Sequence, residues 1–208
     1  TSLVPIEADG MKFNLLDTPG YADFAGEVIS ALQVVEGAVV VVDSVAGVEV
    51  GTEIAWQHLD ELGLPRIVVI NKMNRENANW PKVLASLESS FGARFVPLQL
   101  PVGNAHEFKG VYDVVRGVAS LGNEGKPGDV PGAVATDAGT RRDAVVEAAA
   151  ESDDALLEKF FDAGTLDDEE VKRGLTAGAK GNRFVPVLFA SATECLGVHA
   201  LLAALKTL

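Results

Sequence analysis

The sequence has a single cysteine, Cys195, which excludes any disulfide within the chain and fits a reducing compartment, the cytoplasm. It has no apolar run long enough to span a bilayer: the longest, such as "GAVVVVD", end after a few residues, and no signal peptide opens it. A membrane protein is therefore not expected. Basic residues are in short supply, with 17 Lys and Arg against 30 Asp and Glu and a net charge of −13. That balance argues against a broad patch for a nucleic-acid backbone, so any work near nucleic acid would go through local contacts or other domains. No internal repeat stands out, and no methionine starts the chain. It begins inside a strand pattern and reads as a piece of a longer protein. What it does have is material for a core. Its 208 residues are 48% hydrophobic with a mean hydropathy of +0.20, enough for one large domain or one domain with a substantial insertion.

The opening "SLVPIEADGMKFNLLD" reads as a hairpin, with Asp9-Gly10 supplying the positive φ angles of a tight turn. Strands and helices then alternate. The strand candidates are "GAVVVVDS" (37–44), "PRIVVINK" (65–72), "RFVPLQL" (94–100) and "RFVPVLFAS" (183–191). Continuous apolar runs with β-branched residues are the pattern of strands buried on both faces of a parallel sheet. Between them lie four amphipathic stripes. They are Phe24, Val28, Ile29, Leu32 and Val35; Ile54, Ala55, His58, Leu59 and Leu62; Trp80, Val83, Leu84, Leu87 and Phe91; and Val198, Leu201, Leu202 and Leu205. This predicts a doubly wound α/β sheet with its ligand site at the carboxyl ends of the strands. The alternation breaks over 101–182, which reads as an insertion. There "EFKGVYDVVRGVASL" suggests a short hairpin, "GNEGKPGDVPG" a loop, and 141–179 two or three acidic helices. From 143 to 170 eleven Asp or Glu accompany one Lys, a composition whose base-rate meaning is a solvated helix face.

Polar residues stand at three strand ends where a plain core needs none. Asp17-Thr18-Pro19-Gly20 offers a carboxylate for a hydrated Mg²⁺ and a glycine N–H that can approach a terminal phosphate closely. Asn71-Lys72-Met73-Asn74 can tie neighbouring loops together and lay an aliphatic stem along a flat base, with Asn74 placed to read the base edge. Ser191-Ala192-Thr193 forms a turn whose N–H groups suit a carbonyl oxygen. Singly, each is an ordinary polar loop. In this order, on three parallel strands of one sheet, they are specific. His58 and His199 read as packing residues, His106 has no evident partner, Cys195 reads as a small hydrophobe and Trp80 as a core anchor.

On these residues the chain resembles the GTP-binding domain of translational GTPases, most closely that of elongation factor G. "DTPGYADF" resembles the family's DTPGHVDF, "NKMNRENANW" its NKMDR stretch, and "SAT" its guanine-binding turn. "EFKGVYDVV" and "DDALLEKF" resemble segments of the insertion special to that factor, and the likeness runs over 5–208. The resemblance implies a P-loop NTPase-type α/β fold that lacks its first strand and phosphate loop and carries an inserted α+β subdomain. Residues 1–100 and 183–208 would be the GTP-binding core, and 101–182 the insertion. It implies GTP, GDP and Mg²⁺ as ligands. Asp17 would support Mg²⁺ through water, Thr18, Pro19 and Gly20 would form the turn that senses the γ-phosphate, Asn71 and Lys72 would frame the guanine, and Ser191 and Ala192 would meet its carbonyl oxygen. The implied partners are the ribosome with its stalk protein, and upstream and downstream domains of the same protein.

The departures are as informative. No G-x-x-x-x-G-K-S/T is present; in the family it lies upstream of the position of Thr1, as does the switch threonine. Asn74 stands where the family has its guanine-reading aspartate, which predicts weaker GTP binding and a shift toward xanthine. Tyr21 stands where the family has the histidine that orients the attacking water, so Tyr21 is the candidate catalytic residue and hydrolysis is expected to be slow. The expected function is a nucleotide switch acting in translocation. The alternative is a catalytically silent paralogue with a regulatory or ribosome-docking role. A release or ribosome-protection GTPase stands third, and the insertion argues against the protection class.

Overall fold

The computed structural model describes residues 1–208 except Asp9, Val130 and Pro131, and omits the side chains of Ala22 and Ala133. Strands β1 (Ser2–Ala8) and β2 (Met11–Asp17) pair antiparallel as a two-stranded sheet. The Asp9 half of the expected turn lies outside the described residues; Gly10 follows it at φ +76°. A 3-10 turn (Ala22–Phe24) leads into α1 (Ala25–Leu32). Next come β3 (Ala38–Asp43), α2 (Val50–Leu62), β4 (Arg66–Asn71), α3 (Trp80–Phe91) and β5 (Phe95–Pro97). Strands β6 (Gln99–Val102), β7 (Gly110–Asp113) and β8 (Val118–Leu121) form an antiparallel sheet, followed by α4 (Gly132–Ala150), α5 (Asp154–Ala163) and α6 (Asp168–Lys180). Strand β9 (Val185–Phe189) and α7 (Val198–Thr207) complete the chain.

The main sheet has the order β3-β4-β9-β5, all parallel. Its centre shows why continuous apolar runs mark such strands. Side chains alternate across the sheet, and both faces of β4 meet a core. Val68 and Ile70 pack on one side with Trp56, Leu59, Val83 and Leu87; Ile67 and Val69 pack on the other with residues of α4 and α6. Trp56, absent from the stripe expected on α2, is 4% exposed and stacks on Phe91 with centroids 4.2 Å apart. A buried ring of that size is worth about 3–5 kcal/mol against alanine. On the insertion side α4 crosses α6 so closely that a Cβ on Gly174 would lie 2.4 Å from the Ala149 carbonyl oxygen.

Several sequence expectations are corrected here. The run 94–100 is not one strand: the chain leaves the main sheet after Pro97 and enters the antiparallel sheet at Gln99. The buried Gln99 marks the step, because its Oε1 accepts from the Phe189 N–H at 3.3 Å. Helix α4 begins at Gly132, well before the expected start near 141. Cys195 is exposed at φ +56°, so it is no core residue.

The largest correction lies at β3. The three strand ends do not share one sheet, since β2 pairs only with β1 and the free edge of β3 has no neighbouring strand among the described residues. Val41, expected to be buried on both faces, is 59% exposed, and Phe24 and Ile29 of the first stripe are exposed too. A cleft of about 760 Å³ runs between β2, α1, β3 and α2, with Val28 and Leu32 on one wall and Ile54, Ala55 and His58 on another. Two apolar stripes thus face a space that no described element fills. That is the gap expected of a sheet lacking a central strand.

Candidate nucleotide site

One group of the expected residues converges at the carboxyl ends of β3, β4 and β9. Asp43 and Asn71 are register partners on neighbouring strands. Just past β4 the chain turns at Lys72 with φ +61°, a left-handed conformation that a lysine adopts only when held. It is held twice: the buried Ser44 Oγ donates to the Lys72 carbonyl at 2.9 Å, and Lys72 Nζ reaches Asp43 Oδ2 at 2.7 Å. With its ammonium tied down, the lysine leaves its aliphatic stem partly exposed (44% for the side chain), a surface on which a flat base can lie. Asn71 ties the loops together as expected, because its Oδ1 accepts the Ala192 N–H at 2.9 Å. A base carbonyl meeting Ala192 would have to share that N–H. In the turn after β9, Ser191 exchanges both backbone bonds with Leu196, at 2.9 and 3.1 Å. Its hydroxyl is fully buried and makes no hydrogen bond. A buried hydroxyl without a partner costs roughly 1–3 kcal/mol, which a polar ligand group or a small loop shift could recover.

Sequence reasoning missed two members of this group. Asp43 ends the run "VVVVD" much as Asp17 ends "NLLD", so a signal existed. Burial alone pushes its carboxyl up, but the Lys72 ammonium and the N–H groups of Val45 and Ala46 outweigh that and hold it at about 2. Glu194 had no signal: it accepts from Asn74 Nδ2 at 2.8 Å across 120 positions of sequence.

Asp43 gives a stability prediction. Its native carboxyl is depressed from 3.8 to about 2, so its contribution is complete above pH ~4 and is lost as pH falls toward 2. Allowing for the half-exposed lysine, Asp43→Asn should cost about 1–2 kcal/mol at pH 7. Urea unfolding of both proteins from pH 7 down to 2.5 checks this, and the difference should shrink only below pH 4. A difference that is constant with pH would show that the ion pair carries none of it.

The other group, Asp17 to Tyr21, lies apart from these residues. All five line the cleft beside β3, and none of the β4 or β9 loop residues does. Gly20 abuts the start of α2, where a Cβ on Gly51 would sit 3.1 Å from the Gly20 carbonyl oxygen. Tyr21 is 78% exposed, and its carbonyl accepts from Phe24 N–H at 3.0 Å.

Over residues 1–208 the sequence matches the family described as elongation factor Tu GTP binding domain. The chain belongs to that family. It is similar to a crystal structure of a protein from Thermus thermophilus, at 33% identity and a TM-score of 0.91. The match covers 99% of this chain and 31% of that one, so the chain spans about a third of that protein's length. For the elongation factor Tu GTP binding domain, the ligands implied are GTP and GDP, with Mg²⁺ as their usual companion. The base end fits a guanine, with an exposed lysine stem, a buried orphan hydroxyl and an amide–carboxylate pair in one place. The phosphate end fits only in part: Asp17 is an exposed carboxylate, and the described residues hold no group of three or more metal-ligating side chains. No described helix is long and apolar enough to cross a membrane.

Proposed function

We propose that this domain is the nucleotide switch of an elongation-factor-G-like translational GTPase that acts on the ribosome during translocation and hydrolyses GTP slowly. The observation that carries the reading is the base-end cluster, where Asn71, Lys72, Ser191 and Ala192 meet through the Ala192–Asn71 bond. Residues 1–100 and 183–208 form the GTP-binding core, and 101–182 the inserted subdomain. A bound nucleotide with its Mg²⁺ supplies a phosphoanhydride activated for in-line attack by water. This chain's residues do the rest. Lys72 and Asn71 would set the plane of the base, the Ala192 N–H, shared with Asn71, would meet its carbonyl, and Asp17 would hold the metal through water. Gly20 presents a backbone N–H without a side chain in the way, so the loop could register whether a γ-phosphate is there, and Tyr21 would face the attacking water. Registering that one group biases the loop between two arrangements, which is how such domains drive movement.

The test is a titration of the full-length protein with a fluorescent GTP analogue, followed by hydrolysis with and without ribosomes. Saturable binding with ribosome-stimulated turnover supports the reading. Binding with no stimulation favours the catalytically silent paralogue, and no binding overturns both.

The insertion is the proposed contact with the ribosomal stalk. Helix α5 exposes Asp154, Glu158 and Asp162 on one side together with Phe161, which is 77% exposed. If this charge steers a basic partner, the association rate should fall steeply with salt. Reversing Asp154, Glu158 and Asp162 to lysine should lower that rate by roughly 10-fold or more at low salt. Asp153 must be left alone, because its carboxylate caps α5 by accepting from the N–H groups of Ala155 and Leu156. Stopped-flow association with purified stalk protein reads the effect. A rate insensitive to both salt and reversal would make the acidic face a solvated surface only.

A further inference from the structure

Asn74 taken alone is a poor reader of guanine, because its amide offers one acceptor and one donor to a base edge that presents two donors, N1–H and the 2-amino group. The fold changes what Asn74 offers. Its Nδ2 donates to Glu194 Oε1 at 2.8 Å. A carboxylate can only accept, so the amide nitrogen must be the atom facing Glu194, and Oδ1 is left on the other side of the amide plane. The pair therefore presents acceptors: the Asn74 Oδ1 and the second oxygen of Glu194. Glu194 is exposed, on the same turn as Ser191 and Ala192, and so borders the base position from the β9 side.

Resting on the GTP reading above, we infer that Glu194 is a specificity-determining residue that supplies the base-reading carboxylate from the β9 turn in place of the β4 loop. The geometry reverses the preference expected from Asn74 alone. A carboxylate beside the 2-position attracts the amine of guanine, meets only a hydrogen in hypoxanthine, and repels the oxygen of xanthine. It also gives Asn74→Asp a different meaning. That change would set two carboxylates against each other at hydrogen-bonding distance, and like charges so placed oppose each other.

The experiment measures dissociation constants of the full-length protein for GDP, IDP and XDP by isothermal titration, for the natural sequence and for Glu194→Ala, Glu194→Gln and Asn74→Asp. Melting temperatures without nucleotide are recorded alongside. The natural protein should prefer GDP over both others. A charge-assisted bond to the 2-amino group predicts that Glu194→Ala weakens GDP by about 10-fold or more. IDP should change by no more than about 2-fold, and Glu194→Gln should lie between. Asn74→Asp should weaken GDP rather than strengthen it, and adding Glu194→Gln should recover the loss. An unchanged GDP-to-IDP ratio in Glu194→Ala overturns the inference. Equal losses for GDP and IDP overturn it as well, since Glu194 would then merely steady Asn74. So does a natural preference for XDP. Failure of every purine nucleotide to bind sinks the GTP reading itself, which no Glu194 variant alone could do.

Discussion

Replacing Tyr21 with histidine should raise ribosome-stimulated GTP hydrolysis of the full-length protein by roughly 10- to 1000-fold. Phosphoryl transfer leaves a protein little covalent work, so the rate depends on where water is placed and on the charge around it. A tyrosine oxygen stands farther from its Cα than either imidazole nitrogen, and a phenol has no cationic form. A water displaced by about 1 Å can cost about 100-fold. Tyr21 is 78% exposed, so the exchange for a smaller side chain should leave the fold intact. Single-turnover hydrolysis with saturating ribosomes reads the result. The background should keep Asn74 and Glu194 as they are, because their side chains are bonded to each other. No gain from histidine would mean that another group positions the water.

The second large effect is on binding. A polypeptide of residues 1–208 alone should show no saturable binding of a fluorescent GTP analogue at micromolar concentration. One extended upstream through a G-x-x-x-x-G-K-S/T should bind at least about 100-fold more tightly. In such loops, backbone N–H groups at a helix start and one lysine supply most of the attraction for phosphates. Nothing in the described chain replaces them. The Gly20 turn and the base-end loops lie in separate groups, and the space between β2 and β3 is an open cleft. Micromolar binding by residues 1–208 would show that the base end and Asp17 hold a nucleotide by themselves.

The sequence was most informative where one local rule decides the outcome. "RIVVIN" is an inner strand whose residues Arg66 to Ile70 are all buried, and the unbroken apolar run from Ile67 to Ile70 says so directly. That Asn71, Lys72 and Ser191 would come together was legible because polar residues at the ends of such strands have few reasons to be there. Periodicity does not say whether a neighbour covers the apolar side, which is why Val41, Phe24 and Ile29 read as core and are exposed. Nor does an apolar run record a change of sheet; the step at Gln99 is made by one side-chain bond to Phe189. The start of α4 was hidden by "GAVATDAGT", whose glycines and small residues carry no stripe. The Asn74–Glu194 pair was beyond reach, since only the finished sheet brings the β4 and β9 loops side by side.

The backbone at Lys72 has a bearing on speed. A lysine at φ +61° stores something on the order of 1 kcal/mol of strain, and it persists because Ser44, Asp43 and the Met73 N–H bond to the Ala190 carbonyl hold it there. That cost is met once, when the sheet forms. A nucleotide bound as proposed here would find the turn already made, and its capture would not wait for the chain to rearrange. In a switch that cycles, such readiness keeps the exchange of ligands governed by how fast they leave rather than by how fast the loop can receive them.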